Sequence, residues 1–365
     1  MSFGRQFFTS AMVTVLTVTC AITGNAHAQQ VIKLTVASSH PTTLAWVGLI
    51  STYFVPEVNK RLSAGGNKYK IEWREAYGGQ LYKQNATLTS VEQGVTDIGW
   101  VMTQLEAAKL PLSNVATVAP FTTDNLPLML EVMNEITDSV PAIKKEWDKA
   151  NTVFLGTTGV DTYHLFTTMP INSYADLKGK KLGAPGAIGL WLKGSGAVPV
   201  DGSLQTYYTD IQSGVIDGAV SISSGILPTK IYEVAPYITA VNIGALAFGA
   251  LAINKDTWGG LPADVQKTLK DVGREYSRKL GEEVMKRAEN ANKTMVEVGA
   301  KQSPPVSLKL LPAAERDLWI KTMPNIAGDW VKSNEAKGLP AKQVLSAYMD
   351  GLRKRGIRPA RDWDK

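Results

Sequence analysis

Leu88-Thr-Ser-Val-Glu-Gln-Gly94-Val95-Thr96-Asp97-Ile98-Gly99 has a counterpart 120 residues later, Tyr208-Thr-Asp-Ile-Gln-Ser-Gly214-Val215-Ile216-Asp217-Gly218-Ala219. Each reads as a helix, a terminating glycine and a short buried strand opened by Val-x-Asp. Glycine suits the left-handed position just past a helix C-terminus. Copies this far apart do not make a solenoid. They predict two similar α/β lobes in one chain.

The flanking sequence agrees. Val31 to Ala37 alternates and is β-branched, which reads as a strand ended by Ser38-Ser39-His40-Pro41. Thr42 to Leu62 reads as a helix, broken by Gly65-Gly66-Asn67. Tyr69 to Trp73 reads as a second strand. This order predicts a parallel α/β sheet. From Pro262 to Val298, apolar residues recur at three- or four-residue steps, among them Val265, Leu269, Val272, Tyr276, Leu280 and Val284. A continuous helix there spans roughly 50 Å, more than one small lobe. Gly273 and Gly281 weaken its continuity. Pro312 to Trp330 and Pro340 to Arg355 read as further helices.

Composition bounds the function. Of 365 residues, 44% are hydrophobic and 20% charged, which excludes collagen-like and disordered classes. A single cysteine, Cys20, excludes a disulfide scaffold and a multi-cysteine zinc site. The net charge of +6 is scattered and gives no nucleic-acid footprint. Arg5, an apolar stretch from Phe7 to Ile22 and Ala26-His27-Ala28 have the layout of a secretory signal peptide cleaved after Ala28. Removing those 28 residues leaves 337, with no cysteine and a charge of +5. A periplasmic, soluble, monomeric protein is expected.

Catalytic motifs are missing from the sequence. His40 and His164 are the two histidines of the mature chain, and their spacing matches no zinc motif. No Gly-x-Ser-x-Gly elbow or phosphate-binding loop occurs. Gly183-Ala-Pro-Gly186-Ala-Ile-Gly189 is a poor dinucleotide fingerprint and reads as a tight strand-to-helix turn. The reading is therefore a binding protein, not an enzyme, with no cofactor and no metal. Its shape is that of a two-lobed receptor closing on a small molecule.

A series of short motifs then carries a resemblance over nearly the whole mature chain. In order they are Gly79-Gln80-Leu81, Gln93 to Asp97, Ala119-Pro120-Phe121, Pro170-Ile171 with Asp176 to Leu182, Gln212 to Gly218, Tyr232 to Tyr237 and Trp258 to Pro262. The chain resembles the periplasmic solute-binding subunits of tripartite ATP-independent periplasmic (TRAP) transporters, of the dicarboxylate-receptor type. The resemblance implies a two-lobed periplasmic-binding-protein-like α/β fold, hinge strands and a long helix spanning both lobes. It also implies delivery of an organic acid to membrane permease subunits driven by an ion gradient. Lobe I is expected over 29–155 plus about 244–275. Lobe II is expected over 156–243 plus about 276–365, with helix 262–298 as the bridge.

Two positions depart from the family pattern. Gly183 stands where the family has an arginine for the ligand carboxylate, and Ser221 where it often has an asparagine. A guanidinium gives a carboxylate two parallel charge-assisted hydrogen bonds, and glycine gives none. Three outcomes follow. The amides of residues 183–189 and the hydroxyls of Ser221, Ser223 and Ser224 hold a carboxylate. Alternatively a distant cation substitutes, from Lys181, His40, His164 or Lys193. Or the ligand is neutral or aromatic and stacks on Trp100, Trp191 or Tyr163. The reading leans to a monocarboxylate, aromatic or hydroxylated. The alternative is a periplasmic sensor or scavenging module for a neutral or aromatic ligand.

Candidate site residues follow from their positions beside strand ends. They are Ser38, Ser39 and His40 after the first strand, and Gln80 and Tyr82 before the first repeat. Trp100, Met102 and Thr103 follow the first repeat, as Ser221, Ser223 and Ser224 follow the second. Tyr163 and His164 enter the second lobe, His164 near where some relatives place another basic residue. Gly183, Gly186 and Trp191 complete the set.

Overall fold

Strands β1 (Gln30–Ala37) and β2 (Tyr69–Ala76) pair in parallel along their whole length, as the sequence predicts. The computed structural model describes Met1 and residues 29–365 apart from Asn67. The leader, Cys20 and the cleavage point after Ala28 fall outside the described residues.

The first sheet has the order β2-β1-β3-β10-β4, with β3 at Ile98–Val101, β4 at Thr152–Val160 and β10 at Leu246–Asn254. The second has the order β11-β9-β5-β8-β6-β7. Its strands are β5 (Tyr163–Thr167), β6 (Lys181–Gly183), β7 (Val198–Val200), β8 (Gly218–Ile222), β9 (Tyr237–Ala240) and β11 (Ser307–Leu310). Neither sheet is purely parallel. β10 runs antiparallel to β3 and β4, and β5 antiparallel to β8 and β9. Each of these antiparallel strands is laid down just after the chain crosses from the other lobe. The lobes thus exchange strands at two crossings, β4 to β5 and β9 to β10.

The repeated motif builds the same device twice. Helix α3 (Thr87–Glu92) precedes Gly94 at φ +70°, and helix α6 (Tyr207–Gln212) precedes Gly214 at φ +74°. Past each glycine, Val95 N–H donates to the Ser90 carbonyl and Val215 N–H to the Asp210 carbonyl, both at 2.9 Å. The aspartate then ties down the neighbouring parallel strand. Asp97 accepts from Thr35 N–H on β1 at 2.7 Å, and Asp217 from Lys181 N–H on β6 at 2.8 Å.

Helices cover the sheets. The segment expected to be one helix over 42–62 is α1 (Ala45–Leu49), a π-turn (Ile50–Phe54) and α2 (Val55–Ala64). The cause is Pro56, which has no N–H to give to the preceding turn. Helices α4 (Leu126–Ser139) and α5 (Pro141–Lys149) pack on β4, and α7 (Ser223–Ile226) follows β8. The short α8 (Lys255–Gly260) leads into α9 (Ala263–Gly299), a single helix of 37 residues, ~55 Å long.

Gly273 and Gly281 do not interrupt α9. They are points of close approach, four residues either side of the buried Ser277. A Cβ on Gly156 of β4 would strike the Gly273 carbonyl oxygen, and one on Gly281 would lie 2.7 Å from Pro127 Cα. The first lobe holds α9 as far as Val284, and Arg287 donates to the Thr43 carbonyl at 3.1 Å. Ala291 and Met295 then join the core of the second lobe. The changeover therefore falls after Arg287, not near residue 276.

Residues 312–330 form two helices instead of one, α10 (Ala313–Thr322) and α11 (Ile326–Glu335). Pro324 stops the first, and Asn325 caps the second by accepting from Gly328 N–H at 2.9 Å. α10 sits on the second lobe, where Trp319 Nε1–H donates to the Trp191 carbonyl. α12 (Ala341–Lys354) packs on α4 of the first lobe, and Arg355 pairs with Glu131 and Glu135 there. The chain end thus returns to the first lobe, against the expectation that 276–365 belongs wholly to the second.

Gly156→Ala should lower the unfolding free energy by about 1–3 kcal/mol, because a methyl group cannot fit between β4 and the α9 backbone. Urea denaturation measures this, and an unchanged midpoint would contradict the contact.

Candidate ligand-binding site

A cavity of about 360 Å³ lies between the lobes, where the parallel strands of both sheets end. Open α/β sheets place ligands at this edge, and the volume suits a small organic molecule. The first lobe contributes His40 after β1, Trp46 on α1, Met102 after β3 and Phe248 on β10. Gln84 and Gln104 add amides. The second lobe contributes Tyr163 on β5, Pro185 after β6, Tyr207 at the start of α6 and Ser221 on β8. The lining contains no lysine, arginine, aspartate or glutamate.

The first-lobe wall is an aromatic cluster. Trp46 meets Phe248 edge to face at 5.0 Å, and His40 meets Trp100 edge to face at 4.9 Å. Such pairs hold each other in fixed orientations. Burial keeps the His40 imidazole pKa below its ordinary value, so it is neutral at pH 7. Ser39 Oγ lies 2.9 Å from His40 Nδ1 and orients the ring. Two buried side-chain atoms of lining residues have no partner, Trp46 Nε1 and Gln104 Nε2, and both are N–H donors.

Of the sixteen sequence candidates, His40, Met102, Tyr163 and Ser221 line this cavity. The others have structural work. Trp100 is fully buried behind His40, its Nε1–H donating to Thr158 Oγ1 at 2.9 Å. Tyr82 is held under β1 by a 2.8 Å bond to the Ala37 carbonyl. Ser38 Oγ accepts from His40 N–H, and Ser39 only steadies the ring. Gln80 is exposed on a loop ahead of α3, which begins at Thr87, and Gln84 lines the cavity instead. Thr103 is buried, its carbonyl accepting from Asn114. Ser223 Oγ donates to Asn292 on α9, and Ser224 donates to the buried Asp161, capping α7. Trp191 joins the lobes, its Nε1–H donating to the Thr117 carbonyl at 2.7 Å. His164, paired with Ser221 across β5 and β8, is buried and does not line the cavity. Burial pushes its pKa down to about 4, and its Nδ1 accepts from Asn242 N–H.

Gly183 is not part of the lining. A Cβ there would lie 2.5 Å from Tyr207 Cε1, so the tyrosine ring fills the space a longer side chain would need. The turn that follows offers no anion nest. Ala184 N–H donates to the Val200 carbonyl, Gly186 N–H to Asp201 and Ile188 N–H to the Pro185 carbonyl. Lys181 is exposed on β6, and Lys193 lines a different cavity. Sequence reasoning missed Tyr207, although it immediately precedes the second repeat. It also missed Phe248, the one aromatic residue between Tyr237 and Trp258.

Residues 52–325 match the model of the bacterial extracellular solute-binding protein family 7, DctP. The chain belongs to this family. A solute-binding protein of Sulfitobacter sp. (strain NAS-14.1) is 29% identical over 219 residues, 55% of this chain and 62% of that protein. The C4-dicarboxylate-binding periplasmic protein DctP of Rhodobacter capsulatus is 28% identical over 152 residues, 42% and 44% of the two chains. The match therefore spans less than two thirds of these curated relatives. Among solved structures, a TRAP periplasmic solute-binding protein from Desulfovibrio salexigens has a TM-score of 0.76 at 23% identity, covering 90% of this chain and 97% of that one. A TRAP solute-binding protein from Rhodoferax ferrireducens, in complex with copurified benzoate, has a TM-score of 0.74 at 20% identity over 89% and 98%. These likenesses show the two-lobed fold.

Gly183→Arg should not restore a carboxylate clamp in this family 7 protein. It should displace Tyr207 and lower stability by about 1–3 kcal/mol, read by chemical denaturation. A stable variant would show that the ring yields. A second outcome concerns pH. His164 has a lowered folded pKa, so its contribution is complete above pH 6.5 and is lost as pH falls from 6.5 towards 4. The stability difference between wild type and His164→Gln should shrink by about 3 kcal/mol across that window. A difference independent of pH would refute a buried neutral imidazole.

Proposed function

We propose that this protein is the periplasmic receptor of a TRAP transporter and captures an aromatic monocarboxylate for delivery to the membrane permease subunits. The observation that carries the ligand class is the pairing of an aromatic wall with neutral amide and hydroxyl side chains in an uncharged cavity. Trp46, Phe248, Tyr163 and Tyr207 suit a ring. The neutral side chains of Gln84, Gln104 and Ser221 suit an acceptor-rich group such as a carboxylate. Neutral donors can hold one carboxylate by hydrogen bonding to its charged form. Two buried carboxylates without a cation would cost far more, which argues against a C4-dicarboxylate. Related folds with bound benzoate and with bound mandelate support the same class. The absence of any lysine or arginine from the lining favours a second reading, an uncharged aromatic solute.

A thermal-shift and calorimetry panel separates these readings. Benzoate, 3-hydroxybenzoate and mandelate should each stabilise the protein, by about 2.7 kcal/mol at 100-fold over Kd. Succinate and malate should not. Gln104→Leu should weaken benzoate at least about tenfold, the value of a hydrogen bond to a charged group. Binding of succinate without benzoate would overturn the proposal. Benzamide binding as tightly as benzoate would establish the uncharged reading instead.

A further inference from the structure

After α9 the chain passes between the lobes once more, at Met323-Pro324-Asn325, where α10 gives way to α11. α10 is held by the second lobe. Beyond the Trp319–Trp191 bond, Glu315 accepts from Tyr174 N–H at 2.8 Å and Thr322 Oγ1 donates to Tyr174 Oη at 2.7 Å. α11 packs on α12, which packs on α4 of the first lobe. The helix end at this passage is incomplete, because Pro324 has no N–H to give to the Ile320 carbonyl four residues earlier.

Residues 358–365, beyond α12, turn back and fill that gap. Arg361 donates to the carbonyls of Ile320 and Met323, at the end of α10 where the helix dipole favours a cation. Its guanidinium also stacks on the Trp363 ring at 4.2 Å. Two further bonds fasten the segment to the stretch before α4. Ala360 N–H donates to the Phe121 carbonyl at 3.0 Å, and the buried Trp363 donates through Nε1–H to the Pro120 carbonyl at 2.7 Å. Phe121 belongs to the β9-to-β10 crossing, because its N–H donates to the Ile243 carbonyl. On the first-lobe side, Arg353 of α12 donates to Asp364 at 2.9 Å and to Asp362 at 2.6 Å.

We propose that residues 358–365 are a strap over the hinge, clasped by Arg361, that limits how far the two lobes part. The strap joins Phe121, at one crossing, to Met323, at the next passage, so the two cannot shift independently while the clasp holds. None of the residues it bonds lines the cavity between the lobes, so its effect is on the hinge and not on the ligand wall. The proposal rests on the receptor reading only in taking the lobes to move about these crossings, and the ligand class does not enter it.

The test uses the whole protein from Gln29 onward, which has no cysteine, and adds no ligand. Val95→Cys and Val215→Cys, equivalent exposed positions of the two repeated motifs, take one spin label in each lobe. Pulsed dipolar spectroscopy should show a broader inter-lobe distance distribution in Arg361→Met than in the labelled parent. A chain ended after Ile357 should show the same broadening. Arg361→Lys, which still donates to a carbonyl, should fall between. Arg361 is only half-buried, so its variants should fold. If the shortened chain does not fold, Trp363→Phe, which loses only the indole N–H, replaces it and should also broaden the distribution. A tail that serves stability alone would lower the urea midpoint and leave the distance distribution of the folded protein unchanged, and that result would overturn the proposal. Benzoate failing to shift the parent's distribution would instead fault the receptor reading, with the ligand-free comparison still deciding the strap.

Discussion

The architecture depends on the seat of α9 upon β4. At Gly156 and Gly273 the helix and strand backbones touch with no side chain between them. Arg274, next along the helix, locks the register. It donates twice to Asp138 at 2.8 Å and once to the Leu155 carbonyl at 2.9 Å. This fixes the helix rigidly to the first lobe. The far end meets the second lobe through apolar packing of Ala291 and Met295 and the Ser223–Asn292 bond. The helix is thus tied more heavily to the first lobe than to the second.

The cavity between the lobes owes its character to a substitution of one kind of chemistry by another. A glycine at 183 lets the Tyr207 ring press against β6. The ring brings aromatic surface to a place where the resemblance implies an arginine. The surrounding turn uses the Ala184, Gly186 and Ile188 amides in internal bonds. On the proposed function, shape and ring packing would then do more of the recognition than charge.

Much of the fold was legible because it is written in local pattern. The two Gly-Val-x-Asp motifs forecast matching helix–strand units, and both aspartates proved to do the same job. The long helix followed from period alone. What stayed hidden were contacts between distant segments. Gly273 and Gly281 looked like weaknesses because the strand and the proline they pack against are far away in sequence. The site was less legible than the fold for the same reason. Of the residues picked out beside strand ends, His40, Met102, Tyr163 and Ser221 line the cavity. Trp100, Tyr82 and Trp191 are buried instead, because an aromatic in the right neighbourhood can face the core as easily as the cleft. Phe248 lies on a strand returning from the other lobe, which no local pattern announces.

The exchanged strands carry a consequence for how the protein is made. The first sheet joins β3 to β4 only through β10, which begins at Leu246. A nascent chain that has emerged as far as Val160 therefore holds four strands with a gap in the middle. It cannot close that sheet until the second lobe has been synthesised. Neither lobe is a separable module, and a gene cut at the lobe boundary would yield two unfinished halves. Delay in closing the first sheet is built into the topology.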